Sequence, residues 1–114
     1  MHELGYAVQI IRTLEDFMKE NDLSVISEVT LTVGEATGIV PRFMMECWPA
    51  AVEDSDTIKD CVLKINFVES IGECHECEKQ FPIAKNKRKC PYCGCEDYDT
   101  KTGYEFEITE IRGH

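Results

Sequence analysis

The sequence has no apolar run longer than a few residues, which excludes a membrane-spanning helix, because such a helix needs about 20 consecutive apolar positions. It is short of positive charge: 12 Lys and Arg stand against 22 Asp and Glu, for a formal net charge of −10. That balance argues against a nucleic-acid partner, whose phosphates require a basic face. The start of the chain has no basic stretch ahead of an apolar one. Met1-His2-Glu3 runs on to Arg12, Glu15 and Asp16, and no signal peptide is expected. Repeats and low-complexity tracts are absent, and no Ser or Cys lies in a pattern with His that would make a nucleophilic centre. A hydrolase is therefore the least favoured reading, and no enzymatic activity is expected. Cysteine, by contrast, is plentiful. Seven is an odd count for a 114-residue chain, which points to a reducing compartment, the cytoplasm, rather than to a disulfide framework. The length suits one domain of modest core with a metal-stapled module.

Four of the cysteines form two pairs, Cys74-His-Glu-Cys77 and Cys90-Pro-Tyr-Cys93. Two Cys-x-x-Cys turns at this separation can bring four thiolates to a tetrahedron around Zn²⁺. Four unrelated thiols, or two disulfides, are the alternatives, and the regular spacing favours metal. Gly94 follows the second pair, where such a knuckle calls for positive φ. Glu78 occupies the equivalent place after the first. Four cysteines close the coordination sphere and leave no open position for substrate, so the expected zinc is structural. His75, inside the first knuckle, is a candidate to replace a thiolate when protons compete for sulfur, against the simpler reading of an exposed spacer, and Cys95 is a candidate spare ligand, against the simpler reading of an exposed thiol. Cys47 and Cys61 fall on apolar faces and read as packing.

Periodicity places the remaining elements. Leu4, Ala7, Val8, Ile11, Leu14 and Met18 recur at helical steps, predicting an amphipathic helix over about 4–20. Val29, Leu31 and Val33 alternate with Glu28, Thr30 and Thr32 in a strand, and Gly34 to Gly38 is a turn. A second helix opens at Pro41, with Met44, Trp48 and Val52 beside Phe43, Cys47 and Ala51 on its core stripe. Pro49 predicts a kink, or an end near Trp48. After a polar loop from Glu53 to Asp60, Cys61, Leu63, Ile65 and Phe67 mark a second strand, and Tyr104, Phe106 and Ile108 a third. The expected fold is α+β: two helices on a three-stranded mixed sheet, with the first two strands parallel through a right-handed crossover, and an inserted four-cysteine zinc-ribbon module. The body is expected to comprise residues 1–69 and 104–114, and the zinc module residues 70–103. Between Ser70 and Gly103 there are six acids and six bases, so the whole excess of negative charge falls on the body. Lys85, Lys87, Arg88 and Lys89 form a short basic run between the knuckles, expected to be a solvated loop tip.

Met1-His2-Glu3 has its own coordination chemistry. His2 is too large to permit removal of Met1, so the α-amine (pKa about 7.7–8.0), the amides of His2 and Glu3, and the imidazole lie within chelating distance of one another. Deprotonated amides suit metals that favour square-planar or tetragonal nitrogen fields, namely Ni(II) and Cu(II).

Taken together, Met1-His2-Glu3 opening an amphipathic helix, Val33-Gly34-Glu35 after the first strand, and the Cys74/Cys77 and Cys90-Pro-x-Cys93-Gly94 knuckles resemble the HypA/HybF family of nickel metallochaperones for nickel–iron hydrogenase maturation. The resemblance runs over nearly the whole chain, in order. It implies that His2 is the key nickel ligand with Glu3 contributing, beside the Met1 amine that the chemistry already offers, that Cys74, Cys77, Cys90 and Cys93 hold zinc, and that nickel is transported cargo. It also implies a HypB-type GTPase and the hydrogenase large subunit as partners; some relatives serve urease. The chain departs from the family in two places. Val40 stands where many relatives carry Asp before the Pro of the second helix, with Glu35 as a substitute carboxylate, and Glu78 stands where the first knuckle usually has Gly. The competing reading is a zinc-ribbon adapter that binds proteins and carries no nickel. The sequence leaves monomer and dimer open.

Overall fold

The computed structural model describes residues 2–114, with His2 described by its backbone alone. The chain order is α1 (His2–Glu20), β1 (Ile26–Gly34), α2 (Pro41–Glu53), β2 (Val62–Val68), β3 (Ile71–Cys74), β4 (Gln80–Pro82), β5 (Tyr98–Thr102) and β6 (Phe106–Gly113). The first sheet has the order β2-β1-β6, with β2 parallel to β1 and β6 antiparallel. This is the expected mixed sheet. A second sheet, β4-β3-β5, lies between β2 and β6 in the chain and carries the cysteine knuckles. Periodicity does not reveal it, because β3 and β4 span only four and three residues.

Both helices cover one face of the first sheet. Ala7, Ile10, Ile11, Leu14 and Met18 of α1 and Met44, Trp48 and Val52 of α2 are buried with Val29, Leu31, Val33 and Leu63. The stripes are narrower than the sequence suggests, since Leu4, Val8 and Phe43 stay exposed. Fully burying one such aliphatic side chain is worth about 1.5–3 kcal/mol. The segment between α2 and β2 is not wholly polar: Ile58 is buried, and the Trp48 indole donates to the Cys61 carbonyl at 2.8 Å, pinning that segment to α2.

Helix α2 runs on to Glu53 through Pro49 rather than stopping near Trp48. Pro49 lies on the exposed face, as does Met45, the residue whose carbonyl loses its partner. Water can satisfy that carbonyl, so the missing bond costs less than in a buried helix. In β6 the register shifts opposite Thr30 and Leu31, inserting Thr109 as an extra residue. The bulge switches the alternation, so that Phe106, Ile108 and then Ile111 pack against the core. Tyr104 lies ahead of the strand and is exposed.

Helix α1 runs back along β1. Tyr6 packs edge-on against Phe106, ring centroids 5.1 Å apart, and Phe106 pairs with Val33 at the end of β1. The first turn of α1 therefore sits at the end of the body from which the ribbon departs.

That junction is built on Val33-Gly34-Glu35. The Gly34 N–H donates to the Glu105 carbonyl at 2.7 Å, and the Ala36 N–H to the Gly103 carbonyl at 2.7 Å. Glu35 Oε1 accepts from the Ser70 N–H at 3.1 Å, and Glu105 Oε1 accepts from the Gly103 N–H at 2.7 Å. The Thr102 hydroxyl donates to the Glu69 carbonyl at 2.7 Å. Lys85, from the basic run, pairs with Glu69 at 2.9 Å, and its pKa is raised by Glu69 first and by the more distant charge of Glu35. The motif thus serves as a clamp between the two sheets, and Glu35 is a junction residue.

Candidate metal centres

Cys74 ends β3 and opens a turn closed by the Glu78 N–H donating to the Cys74 carbonyl at 2.9 Å; in the second knuckle the Gly94 N–H donates to the Cys90 carbonyl at 2.8 Å. Equivalent bonds make equivalent turns. Each puts the residue after its second cysteine in the left-handed region, Gly94 at φ 76° and Glu78 at φ 63°. Glu78 adopts the glycine conformation, so the departure from glycine does not break the knuckle, though a non-glycine residue is strained there.

Ligand atoms of Cys74, Cys77, Cys90 and Cys93 lie within 4.8 Å of one another. Sulfur pairs approach to 3.5 Å for Cys74 and Cys93 and 3.6 Å for Cys77 and Cys90. A tetrahedron with Zn–S bonds near 2.3 Å has S···S edges of about 3.8 Å, so the donor set fits zinc in type, number and spacing. Cys74, Cys77 and Cys90 are partly or wholly buried, and Cys93 is exposed. The four thiols share charge unequally. Backbone N–H groups, that of Cys77 first, draw the Cys74 thiol down to about 6. The Cys93 thiol, despite help from the Cys95 N–H, is pushed up to about 12 by its sulfur neighbours, Cys74 first. Metal binding requires all four as thiolates and therefore releases protons.

His75 is engaged elsewhere. Its Nδ1 donates to Asp97 Oδ1 at 2.9 Å and its Nε2 to Asp99 Oδ1 at 2.9 Å. Both nitrogens face carboxylates, and the four sulfurs group without His75. Its pKa is raised to about 9 by the hydrogen bonds to Asp97 and then Asp99. Because the folded pKa lies above the unfolded one, the clamp stabilises fully below the ordinary value of about 6.5 and is lost as pH rises through about 9. We expect the His75 ring in the zinc-loaded protein to titrate near 9 by nuclear magnetic resonance. An Asp97→Asn/Asp99→Asn variant should titrate near its ordinary value, and a midpoint near the ordinary value of about 6.5 in the parent protein would contradict the clamp.

At the other candidate centre, Met1 and the His2 side chain lie outside the described residues. Glu3 stands in the first turn of α1, where its Oε2 accepts from the Val40 N–H at 3.3 Å. Val40 is the N-cap of α2 and offers no side-chain cap of its own. The carboxylate missing at position 40 is thus replaced across space by Glu3, at the positive end of the α2 dipole. Glu3 and Glu46 flank the Cys47 thiol, whose pKa is raised by its burial first and also by these two charges. Cys61 is buried, with its thiol pushed up to about 11 by burial and then Glu28. Both are protonated packing residues at neutral pH.

A family model described as hydrogenase/urease nickel incorporation, metallochaperone, hypA matches residues 1–113. The hydrogenase maturation factor HypA of Pelodictyon phaeoclathratiforme is 30% identical over 111 residues, covering 97% of this chain and 94% of that protein. That of Chlorobaculum parvum is 27% identical over 111 residues, covering 97% of each. Among solved structures, the Ni metallochaperone HypA from Helicobacter pylori superposes with a TM-score of 0.68 at 22% identity, covering 97% of this chain and 96% of that one. At that identity the likeness establishes the shared fold.

Proposed function

Since the chain belongs to the HypA family of nickel metallochaperones for hydrogenase maturation, carriers rather than catalysts, we propose that it takes up Ni(II) at its amino terminus and releases it to a nickel enzyme. Residues 1–69 and 104–114 form the nickel-binding body, and residues 70–103 form a structural zinc module. The ligands are the amine of Met1, the amides and imidazole at His2–Glu3, and an oxygen of Glu3. The observation that carries this reading is the docking of Glu3 on the Val40 amide. It fixes the start of α1 at the end of the body where Glu35 receives the Ser70 amide and the ribbon begins. On this reading nickel is held at the same end of the body as the zinc module, with the Val33-Gly34-Glu35 clamp between them.

Nickel at a chain end can be passed on by ligand exchange while the core stays folded. Amide coordination displaces protons, so affinity falls as pH drops toward the imidazole's value of about 6.5. Zn²⁺, held by Cys74, Cys77, Cys90 and Cys93, supplies cross-linking alone, since a closed thiolate set has no position for substrate. A HypB-type GTPase and the hydrogenase large subunit are the proposed partners. The proposed compartment is the cytoplasm, which suits seven free thiols; among the described residues no helix is long and apolar enough to cross a membrane.

Calorimetry on untagged protein tests the proposal. One Ni(II) per chain is expected, with His2→Ala weakening binding at least about 100-fold while zinc content is unchanged. Acetylation of the amino terminus should act in the same direction. Undiminished binding in both variants would leave the zinc-ribbon adapter as the reading.

A further inference from the structure

We propose that β2 is the seam of a symmetric dimer, pairing edge to edge and antiparallel with β2 of a second copy, so that the two first sheets join into one of six strands. The inference concerns the body alone and stands whether or not nickel binds. β2 is an outer strand in the order β2-β1-β6. Its ladder to β1 is its only one among the described residues, and there no backbone group of residues 62–68 has a backbone partner outside that ladder. One row of N–H and carbonyl groups is therefore left for water or for another strand.

The two edges of this sheet differ. β6 carries the bulge at Thr109 and three charges, Glu107, Glu110 and Arg112, which are devices that keep an edge from pairing. β2 has neither. Its register with β1 is unbroken from Val62 to Val68, it contains no proline or glycine, and its single charge, Lys64, is drawn back to Glu28 at 2.9 Å. It also shows an apolar side chain on each face. Successive side chains alternate, so Phe67 shares the helix-covered face with Leu63 and is still 51% exposed, while Val62 on the opposite face is 54% exposed.

The strand is complementary to itself, which is what selects a second copy as the occupant. Full overlap of its seven residues puts the two-fold axis at Ile65. Leu63 then lies opposite Phe67 of the second copy, and Val62 opposite Val68, so both exposed apolar side chains gain apolar neighbours. Lys64 lies opposite Asn66, and no like charges meet. An axis at Lys64 would instead set the two lysines against each other. The formal charge of −10 on each chain opposes association in general, and β2 is the one strand of the first sheet with no acidic residue.

Sedimentation equilibrium of the full chain over a concentration series, with Asn66→Lys and Asn66→Glu beside the parent protein, decides the matter. Asn66 is exposed, so neither change disturbs the core. The parent is expected to dimerise reversibly. Asn66→Lys sets two lysine pairs across the seam and should weaken the dimer at least ten-fold, whereas Asn66→Glu sets two lysine–glutamate pairs and should tighten it several-fold. Long-range charge alone predicts the reverse order, because the first change makes each chain one unit less negative and the second one unit more. Amide hydrogen exchange should slow with concentration in β2 and stay constant in β6. A parent protein that remains monomeric into the millimolar range would overturn the proposal and leave the edge to a strand of some other protein. A dimer that Asn66→Lys leaves as tight as the parent, or that Asn66→Glu loosens, would overturn it as well.

Discussion

Stripping the metal with a strong chelator, or substituting Cys90→Ser, is expected to melt the second sheet and leave the first folded. The second sheet has almost no core of its own. Its buried apolar side chains are those of Cys74, Phe81, Ile83 and Cys90, two of which belong to the four-cysteine set. Phe81 packs edge-on to Tyr98 at 5.5 Å, and burying Phe81 and Ile83 contributes about 2–3 kcal/mol each. Strands of four, three and five residues cannot repay the ordering of the turns between them, at about 1–2 kcal/mol per residue for the backbone. Zinc binding of about 10–16 kcal/mol in small modules is of the size required. The first sheet, by contrast, rests on an apolar cluster drawn from both helices and from β1 and β2, and none of its ladders depends on a thiolate. Amide resonances report the two sheets separately. Gly72, Phe81 and Tyr98 should collapse to random-coil shifts without metal while Val29, Leu31 and Leu63 keep theirs. A ribbon that stays dispersed in the metal-free protein would overturn this account.

Gly34→Ala is expected to destabilise the protein by about 3 kcal/mol, the upper part of the range for a forced overlap, and to lower its melting temperature by more than about 10 °C. Backbone conformation is not the reason, since Gly34 has φ −88°, open to any residue. The reason is contact: a Cβ at Gly34 would overlap the Gly103 carbonyl and crowd Glu105 Oε1. Both neighbours belong to the clamp, so relief by backbone movement breaks the Gly34–Glu105 and Ala36–Gly103 bonds together. Gly103 is constrained on its own side by φ +120° and by the buried Ser70 hydroxyl beneath it, which has no hydrogen-bond partner among the described residues. Gly5→Ala supplies the opposite sign. Gly5 lies in α1 with no described atom within 4 Å of a Cβ, so alanine there should stabilise by about 0.5–1 kcal/mol. Thermal melts of the two variants, with relaxation measurements of ribbon tumbling, separate the effects. A Gly34→Ala protein as stable as the parent would show that the clamp tolerates an opening the structure does not have.

Most of the body is legible from residues alone because its elements are long enough for periodicity to register. The alternation of Val29, Leu31 and Val33 is the one that β1 buries, and the α1 repeat differs from the observed core mainly by missing Ile10 and including Leu4 and Val8. A helix end near Trp48 is the wrong expectation from Pro49, because propensity does not know which side of the helix faces water. β6 beyond Ile108 escapes the pattern because a bulge at Thr109 has no signature in composition.

The order of the cysteines and their spacing determined the thiolate set by themselves, since two short turns can close on one ion whatever surrounds them. Local chemistry likewise determined that Met1, His2 and Glu3 could chelate, because those donors are covalent neighbours. Tertiary structure decided what acts at a distance. It made Glu3 the cap that Val40 lacks, turned Glu35 to the Ser70 amide, committed both His75 nitrogens to Asp97 and Asp99, and folded Cys95 against the metal cluster. Each of these contacts joins residues that are far apart in the chain or lie on opposite sides of a turn, so their meeting depends on how helices, strands and knuckles pack, which no local pattern encodes.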